Sequence, residues 1–349
     1  MGVDYVSVQW NRQKKIYDAV LLAGVLTYLV LFAILTKALF PLVTDEILLM
    51  RAFGSASFVL LHLILCIGPL CRLNKSFLPL LYNRRHLGVT MFMLALMHAV
   101  MVVATYHAAS DTNPILSIFV SSPLSPSIAG VPFQIFGFFA LIILFLMAAT
   151  SHDFWLANLS APVWKSLHML VYVAYGLLVL HVTFGILQGE TNPIYTLATA
   201  IGFGTVLSLH LLAGQRERTL DETKSPDSDE YVDACAISDI PENRARIVCV
   251  SGERVAIFKY DGKISAVSNV CQHQNGPLGE GKIVYGCMTC PWHGYQYKPD
   301  TGVSPPPFAE KVPTFNVRIK NGRVFVDPRP NPAGTRAEPA VIEKELVNA

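Results

Sequence analysis

Two short Cys/His pairs toward the C-terminal end carry the most specific chemistry in the chain. They are Cys271-x-His273 and, sixteen intervening residues later, Cys290-Pro291-Trp292-His293. Both read as loops that could meet around one metal centre. Each loop offers one thiolate and one imidazole, which suits a [2Fe–2S] cluster with two thiolates on one iron and two imidazoles on the other. Such a centre carries electrons. A tetrahedral zinc site is the alternative, because Cys287-Met288-Thr289-Cys290 also has zinc-knuckle spacing. The cluster reading selects Cys290 and leaves Cys287 as a buried or neighbouring thiol.

The flanks extend the pattern: Gln274-Asn275-Gly276-Pro277-Leu278 follows the first pair and Gly294-Tyr295-Gln296-Tyr297 the second. From about Tyr231 to Asp327 the chain resembles Rieske [2Fe–2S] domains. The resemblance implies Cys271, His273, Cys290 and His293 as ligands. Rieske proteins of the cytochrome bc1 type add a cysteine to each loop, joined as a disulfide. Gly276 or a neighbour and Trp292 stand in those places, so the loops resemble the ferredoxin and ring-hydroxylating oxygenase type. Tyr297 matches a position that sets a hydroxyl near a cluster cysteine, and Tyr295 stands where the higher-potential type has serine. Fewer hydrogen bonds to sulfur imply an intermediate-to-low potential.

Around these loops the chain reads as short strands at Arg246–Val250, Val255–Tyr260, Ser265–Ser268, Phe315–Ile319 and Val324–Val326, rich in β-branched or aromatic residues. Asp261-Gly262 and Asn321-Gly322 are type I′ hairpin signals. A small all-β domain over residues 231–328 follows. Pro305-Pro306-Pro307 reads either as a surface turn or, by the resemblance, as a loop covering the cluster. Residues 329–349 mix Pro, Ala and charge without apolar periodicity and read as a disordered tail.

The first two thirds of the chain are of another kind. A hydrophobic fraction of 52% with only 15% charged residues is expected when much of a protein lies in lipid. Six spans are predicted: Ala19–Thr36, Ala52–Leu70, His86–His107, Val131–Thr150, Ser166–Leu187 and Ile194–Ala213. Each is near the length that an apolar core of about 30 Å demands. The fold class is therefore a membrane all-α six-helix bundle over residues 1–213, a polar linker over 214–230, and the small all-β Rieske domain. Basic residues concentrate before the first span, between the second and third, at Lys165, and after the sixth, while the alternate loops hold only Lys37 and Arg51. The positive-inside rule puts both termini and the Rieske domain in the cytoplasm, as a multi-pass protein of the cell inner membrane. Seven cysteines without a disulfide framework agree with that side.

Histidines inside lipid are costly and point to function. The third span contains His86, His98 and His107, and the fifth His168 and His181. The two spans run in the same direction, so His86 can face His168 near the cytoplasm and His98 can face His181 nearer the outside. Twelve and thirteen residues separate the paired levels, about 18–20 Å of helix rise, which suits one or two b-type haems. At about 100° per residue, twelve and thirteen steps do not return to one helix face. His62, His107, His152 and His210 read as interfacial or satisfied bundle residues.

Arg84-Arg85-His86-Leu87-Gly88 leading to Leu96-Met97-His98, and Trp164-Lys165-Ser166-Leu167-His168 leading to Leu180-His181, resemble the ferric reductase-like transmembrane domain over roughly residues 48–213. The pattern is similar to the haem-binding membrane subunit of the bacterial methionine sulfoxide reductase system. That resemblance implies haem ligands at His98, His168 and His181. It does not reliably place a histidine at the position of His86.

No Gly-rich strand-to-helix fingerprint for a nicotinamide or flavin domain is present, so any reductase is a separate protein. No soluble domain is left for the mononuclear iron of an oxygenase. No internal repeat alters this organisation, and a net charge of +2 spread over loops gives no case for nucleic-acid binding. The expected function is a membrane electron-transfer oxidoreductase. A cytoplasmic reductase or ferredoxin would donate through the cluster to haem, and an acceptor or quinone would take the electron near the outer face. Reverse flow from membrane quinol and a non-catalytic redox sensor are the alternatives.

Overall fold

The computed structural model describes residues 12–108, 112–120, 132–152, 155, 159, 161–189, 192–221, 231–273, 275–292 and 294–342. The chain divides into two compact units, one of residues 11–69 and 83–210, the other taking in 70–82 and 211–349.

The first unit is helical. Its elements are α1 (Arg12–Leu39), α2 (Asp45–Leu73), α3 (Arg84–Val102), α4 (Gln134–Ala149), α5 (Ala161–Met169), α6 (Val171–Phe184) and α7 (Pro193–Asp221), with α2 and α7 ending in the other unit. Among the described residues five stretches are long and apolar enough to cross a membrane: Lys14–Leu39, Asp45–Leu73, Arg84–His107, Val163–Gly189 and Pro193–Thr219. The fourth predicted span, Val131–Thr150, is a shorter apolar helix of 16 residues. At 1.5 Å per residue it rises about 24 Å, less than the roughly 30 Å of a bilayer core. The described residues thus hold five long apolar stretches and one shorter apolar helix at the place of the fourth predicted span. Small and fully buried side chains such as Ala52, Ala140 and Ala174 mark where the helices approach.

The second unit is β-rich: β1 (Val232–Ala236), β2 (Arg244–Val250), β3 (Glu253–Tyr260), β4 (Lys263–Ser268), β5 (Lys282–Val284), β6 (Cys287–Thr289), β7 (Gln296–Tyr297), β8 (Thr314–Phe315), β9 (Val317–Lys320), β10 (Arg323–Val326) and β11 (Ala340–Val341). They form three antiparallel sheets, ordered β1-β10-β9, β11-β4-β3-β2 with β8 on β4, and β5-β6-β7. Both predicted hairpin turns have the two consecutive positive φ values of type I′, Asp261-Gly262 at 47° and 69° and Asn321-Gly322 at 50° and 72°. Val255, Ile257, Ile264 and Phe315 fill one core cluster. Phe258, Leu278, Met288 and Tyr297 fill a second, which also takes in Cys271 and Cys290. Fully burying a side chain such as Phe258 stabilises by roughly 1.5–3 kcal/mol. The second cluster is therefore what fixes the thiolate-bearing loops.

Two boundaries differ from the sequence reading. The linker expected from residue 214 begins later, because α7 continues through Asp221; residues 222–230 lie outside the described residues. The tail expected to be disordered from 329 is held on the sheet as far as Ile342. Asn331 N–H donates to Thr314 O, Ala337 N–H to Asp300 O and Ile342 N–H to Gly262 O, each at 2.8 Å, and β11 pairs with the edge of β4. A two-residue strand flanked by backbone hydrogen bonds leaves no apolar period to read. Residues 343–349 lie outside the described residues.

Candidate redox sites

The two cysteine loops are built alike. In the first, Cys271 N–H donates to Gly276 O at 2.9 Å and Asn275 N–H to Cys271 O at 2.7 Å. In the second, Cys290 N–H donates to Tyr295 O at 2.8 Å and Gly294 N–H to Cys290 O at 2.9 Å. Each turn closes four positions after its cysteine through a residue in the left-handed region, Asn275 at φ 57° and Gly294 at φ 75°. Asn and Gly are the residues that tolerate it. β6 and β7 hold the second loop by pairing Met288 with Tyr297 and Thr289 with Gln296.

The loops meet. Cys271 and Cys290 are buried, and a Cβ added to Gly276 would lie 2.8 Å from Cys290 Sγ and 3.1 Å from the Trp292 ring. The Trp292 indole thus packs against Gly276. The His273 ring lies parallel to Tyr295, with centroids 4.6 Å apart and 7° between planes. The Tyr295 hydroxyl donates to the Glu310 carboxylate, and Phe308 meets the same ring at 5.0 Å. The proline-rich loop is thereby pinned to the ring that supports His273. His293, the fourth predicted ligand, and Gln274 lie outside the described residues.

The Tyr297 hydroxyl is 3.4 Å from Cys271 Sγ. Burial, and then the neighbouring Cys271 thiol, push its pKa far above the ordinary phenol value, so it stays a hydrogen-bond donor. Cys287 is a buried residue of β6, and burial raises its thiol pKa.

In the helical unit the structure brings His98 and His181 together. His98 Nδ1 donates to Met50 O of α2 at 2.9 Å; His181 Nδ1 donates to Phe133 O, at the start of α4, at 3.1 Å. A carbonyl only accepts, so these bonds place the proton on Nδ1 and leave Nε2 as the lone-pair nitrogen. The two ring centroids are 6.4 Å apart. At that separation the two neutral imidazoles would be able to supply Nε2 ligands to one metal ion.

The other histidines are placed differently. His168 donates through Nδ1 to Trp164 O at 3.0 Å and stacks on Trp164 at 3.7 Å; its Nε2 is buried with no hydrogen bond. His86 turns to α1, with Nδ1 2.9 Å from both carboxylate oxygens of Asp18. The one-residue difference between its spacing and that of His168 is about 100° of helix rotation. His62 and His210 meet the hydroxyls of Tyr175 and Tyr172, each at 3.0 Å, and His107 meets Ser117 Oγ. Sequence reasoning missed the carbonyls of Met50 and Phe133 and the Tyr295–Glu310 pair, none of which has a motif of its own.

Comparison with known proteins gives two matches within the chain. Residues 230–316 match the family described as Rieske [2Fe-2S] domain, and residues 53–179 the family described as ferric reductase like transmembrane component. The ferredoxin component of the naphthalene 1,2-dioxygenase system of Pseudomonas putida is 30% identical over 99 residues, covering 28% of this chain and 95% of the relative. The ferredoxin component of the alkene monooxygenase system of Xanthobacter autotrophicus is 29% identical over 107 residues, covering 30% of this chain and 88% of the relative. Among solved structures, a Sphingomonas yanoikuyae B1 ferredoxin matches at 24% identity with a TM-score of 0.27, covering 28% of this chain and 98% of that one. The chain belongs to the Rieske [2Fe–2S] proteins, with a Rieske domain of the ferredoxin type following a ferric reductase-like transmembrane component.

Proposed function

We propose that this membrane electron-transfer protein carries electrons between a cytoplasmic donor and an acceptor near the outer face, using a [2Fe–2S] cluster and b-type haem, which supply one-electron chemistry when bound. Cys271, His273, Cys290 and His293 hold the cluster, and His98 and His181 hold the haem. The observation that carries the haem half of this reading is the 6.4 Å separation of the two imidazoles, each tethered through Nδ1 with Nε2 left over. His168, whose buried Nε2 has no hydrogen bond, is the candidate for a second, cytoplasmic-side level. His86 is turned toward Asp18 and is not paired with it in this reading.

Six crossings of the cell inner membrane, with both termini and the Rieske domain cytoplasmic, remain the proposed topology. Its support is the asymmetry of basic residues between alternate loops. The relatives are named as ferredoxin components of multi-part systems, which supports separate reductase or ferredoxin partners for this chain. The residues that remain do binding and tuning. Tyr297 donates toward Cys271, Tyr295 holds the His273 ring, and the Met50 and Phe133 carbonyls orient the membrane imidazoles.

The test is composition. Detergent-purified, dithionite-reduced protein should give both the rhombic resonance of a His-ligated [2Fe–2S] cluster and reduced b-haem bands. Cys290→Ser should remove only the resonance; His98→Ala or His181→Ala should remove only haem bound between them. Zinc without the iron resonance would overturn the cluster, and full haem retention in both histidine variants would overturn the proposed ligands.

A further inference from the structure

The helices that carry His98 and His181 repeat one another. Adding 83 to the residue number sends Met50 to Phe133, Gly54 to Gly137, Ser57 to Ala140, Met91 to Ala174 and His98 to His181. The Met50/Phe133, Gly54/Gly137 and His98/His181 pairs perform the same task. Met50 and Phe133 supply the carbonyls that accept from the imidazole Nδ1. Ser57 Oγ donates to Met91 O where α2 crosses α3, and their counterparts Ala140 and Ala174 are the fully buried alanines of α4 and α6. The His62–Tyr175 ring contact at 5.2 Å maps onto Phe145–Phe92 at 6.0 Å, with the partners exchanged between the halves. α2–α3 and α4–α6 are therefore related as two copies of one hairpin. The same shift carries Arg85, not His86, onto His168.

The glycines are the sharpest part of the match. A Cβ on Gly54 would meet His98 at 2.8 Å from Nδ1, 3.1 Å from Cε1 and 3.3 Å from Cγ; one on Gly137 would meet His181 at 2.8, 2.9 and 3.3 Å from the same atoms. Neither ring can retreat freely, because its Nδ1–H is bonded to the carbonyl four residues before that glycine, on the same helix face. A methyl group would break the tether or rotate the ring. Residue i fixes the tautomer, residue i+4 fixes how deeply the ring sits, and the device is used twice.

We infer that Gly54 and Gly137 are paired positioning residues that set the separation and tilt of the His98 and His181 imidazoles for a metal between them. The inference rests on the haem reading above. Ligation by both rings needs their Nε2 atoms at one fixed spacing, and overpacking of this kind is not absorbed by a close-packed interior.

The test uses the purified full chain as wild type, Gly54→Ala, Gly137→Ala, Gly88→Ala and Gly202→Ala. Haem per protein, the low-spin haem resonance and the cluster resonance are read in each sample. Gly88 has nothing within 4 Å of an added Cβ, whereas one on Gly202 would sit 2.7 Å from His62 Nε2, a squeeze of equal severity at a histidine outside the pair. Gly54→Ala and Gly137→Ala are each expected to lower haem content by about fivefold or more, or to shift the low-spin resonance. Gly88→Ala and Gly202→Ala should match wild type, and the cluster resonance should persist throughout as the measure of intact protein. Wild-type haem content and resonance in both pocket variants, an effect in only one, or equal haem loss in Gly202→Ala would overturn the inference. Haem retained in full by His98→Ala and His181→Ala would instead show that the ligand reading had failed.

Discussion

The Tyr297 hydroxyl stands 3.4 Å from the sulfur of Cys271, on a fully buried ring that the pairing of Met288 with Tyr297 holds in place. A phenol is protonated at neutral pH, so a hydrogen bond from it to the sulfur favours the more negative, reduced centre. Tyr297→Phe should therefore lower the cluster potential, by roughly 40 mV for each 1 kcal/mol of differential hydrogen bonding lost. A redox titration followed by electron paramagnetic resonance measures it; an unchanged midpoint would remove Tyr297 from the tuning of the cluster.

Gly276 admits the Cys290 sulfur and the Trp292 indole to a space that a Cβ would fill. Gly276→Ala should part the loops at the cost of about 1–3 kcal/mol, with iron and acid-labile sulfide per protein falling together. Full occupancy in this variant would mean that the loops separate without strain.

The segment through Ile342 closes the outer edge of β4. Removing residues 337–349 deletes the hydrogen bonds from Ala337 to Asp300 and from Ile342 to Gly262. At about 0.5–1.5 kcal/mol each, their loss should lower the melting temperature of the β-rich unit by several degrees. A calorimetric scan that superimposes on wild type would contradict the edge role.

Alkaline pH should weaken the β-rich unit. Burial raises the Cys235 thiol from 9.0 to about 11, and burial likewise raises Tyr260 and Cys287. Below about pH 9 these groups are neutral in both states and cost nothing. Between about 9 and 11 the unfolded Cys235 ionises while the folded one does not, so stability falls as pH rises. The urea midpoint is expected to drop between pH 8 and pH 10.5, and to drop less in Cys235→Ala; a flat profile would be inconsistent with these burial shifts.

Legibility in the sequence followed the range over which each signal acts. The Rieske domain was readable because its two short Cys/His loops are compact local patterns, and Asp261-Gly262 and Asn321-Gly322 because a type I′ turn restricts residue choice. Tyr285-Gly286 makes a similar two-residue turn at φ 51° and 73°, but tyrosine is no turn signal, so β5 and β6 went unread. Apolar runs revealed the spans but not the length of α4. The 83-residue repeat was hidden because few identities survive in it, chiefly Phe53-Gly54 with Phe136-Gly137 and His98 with His181. The common interval of 44 residues from glycine to histidine was the available clue. The turn of His86 toward Asp18 depends on where α1 lies, which no local pattern encodes.

The most direct test of the central claim is the rate at which haem in the purified chain is reduced by a ferredoxin reductase supplied with NADH, in wild type and in Cys290→Ser. The account predicts haem reduction in wild type and its loss in Cys290→Ser, with the same haem content in both. Reduction at the wild-type rate without the cluster would contradict passage of electrons through the Rieske domain.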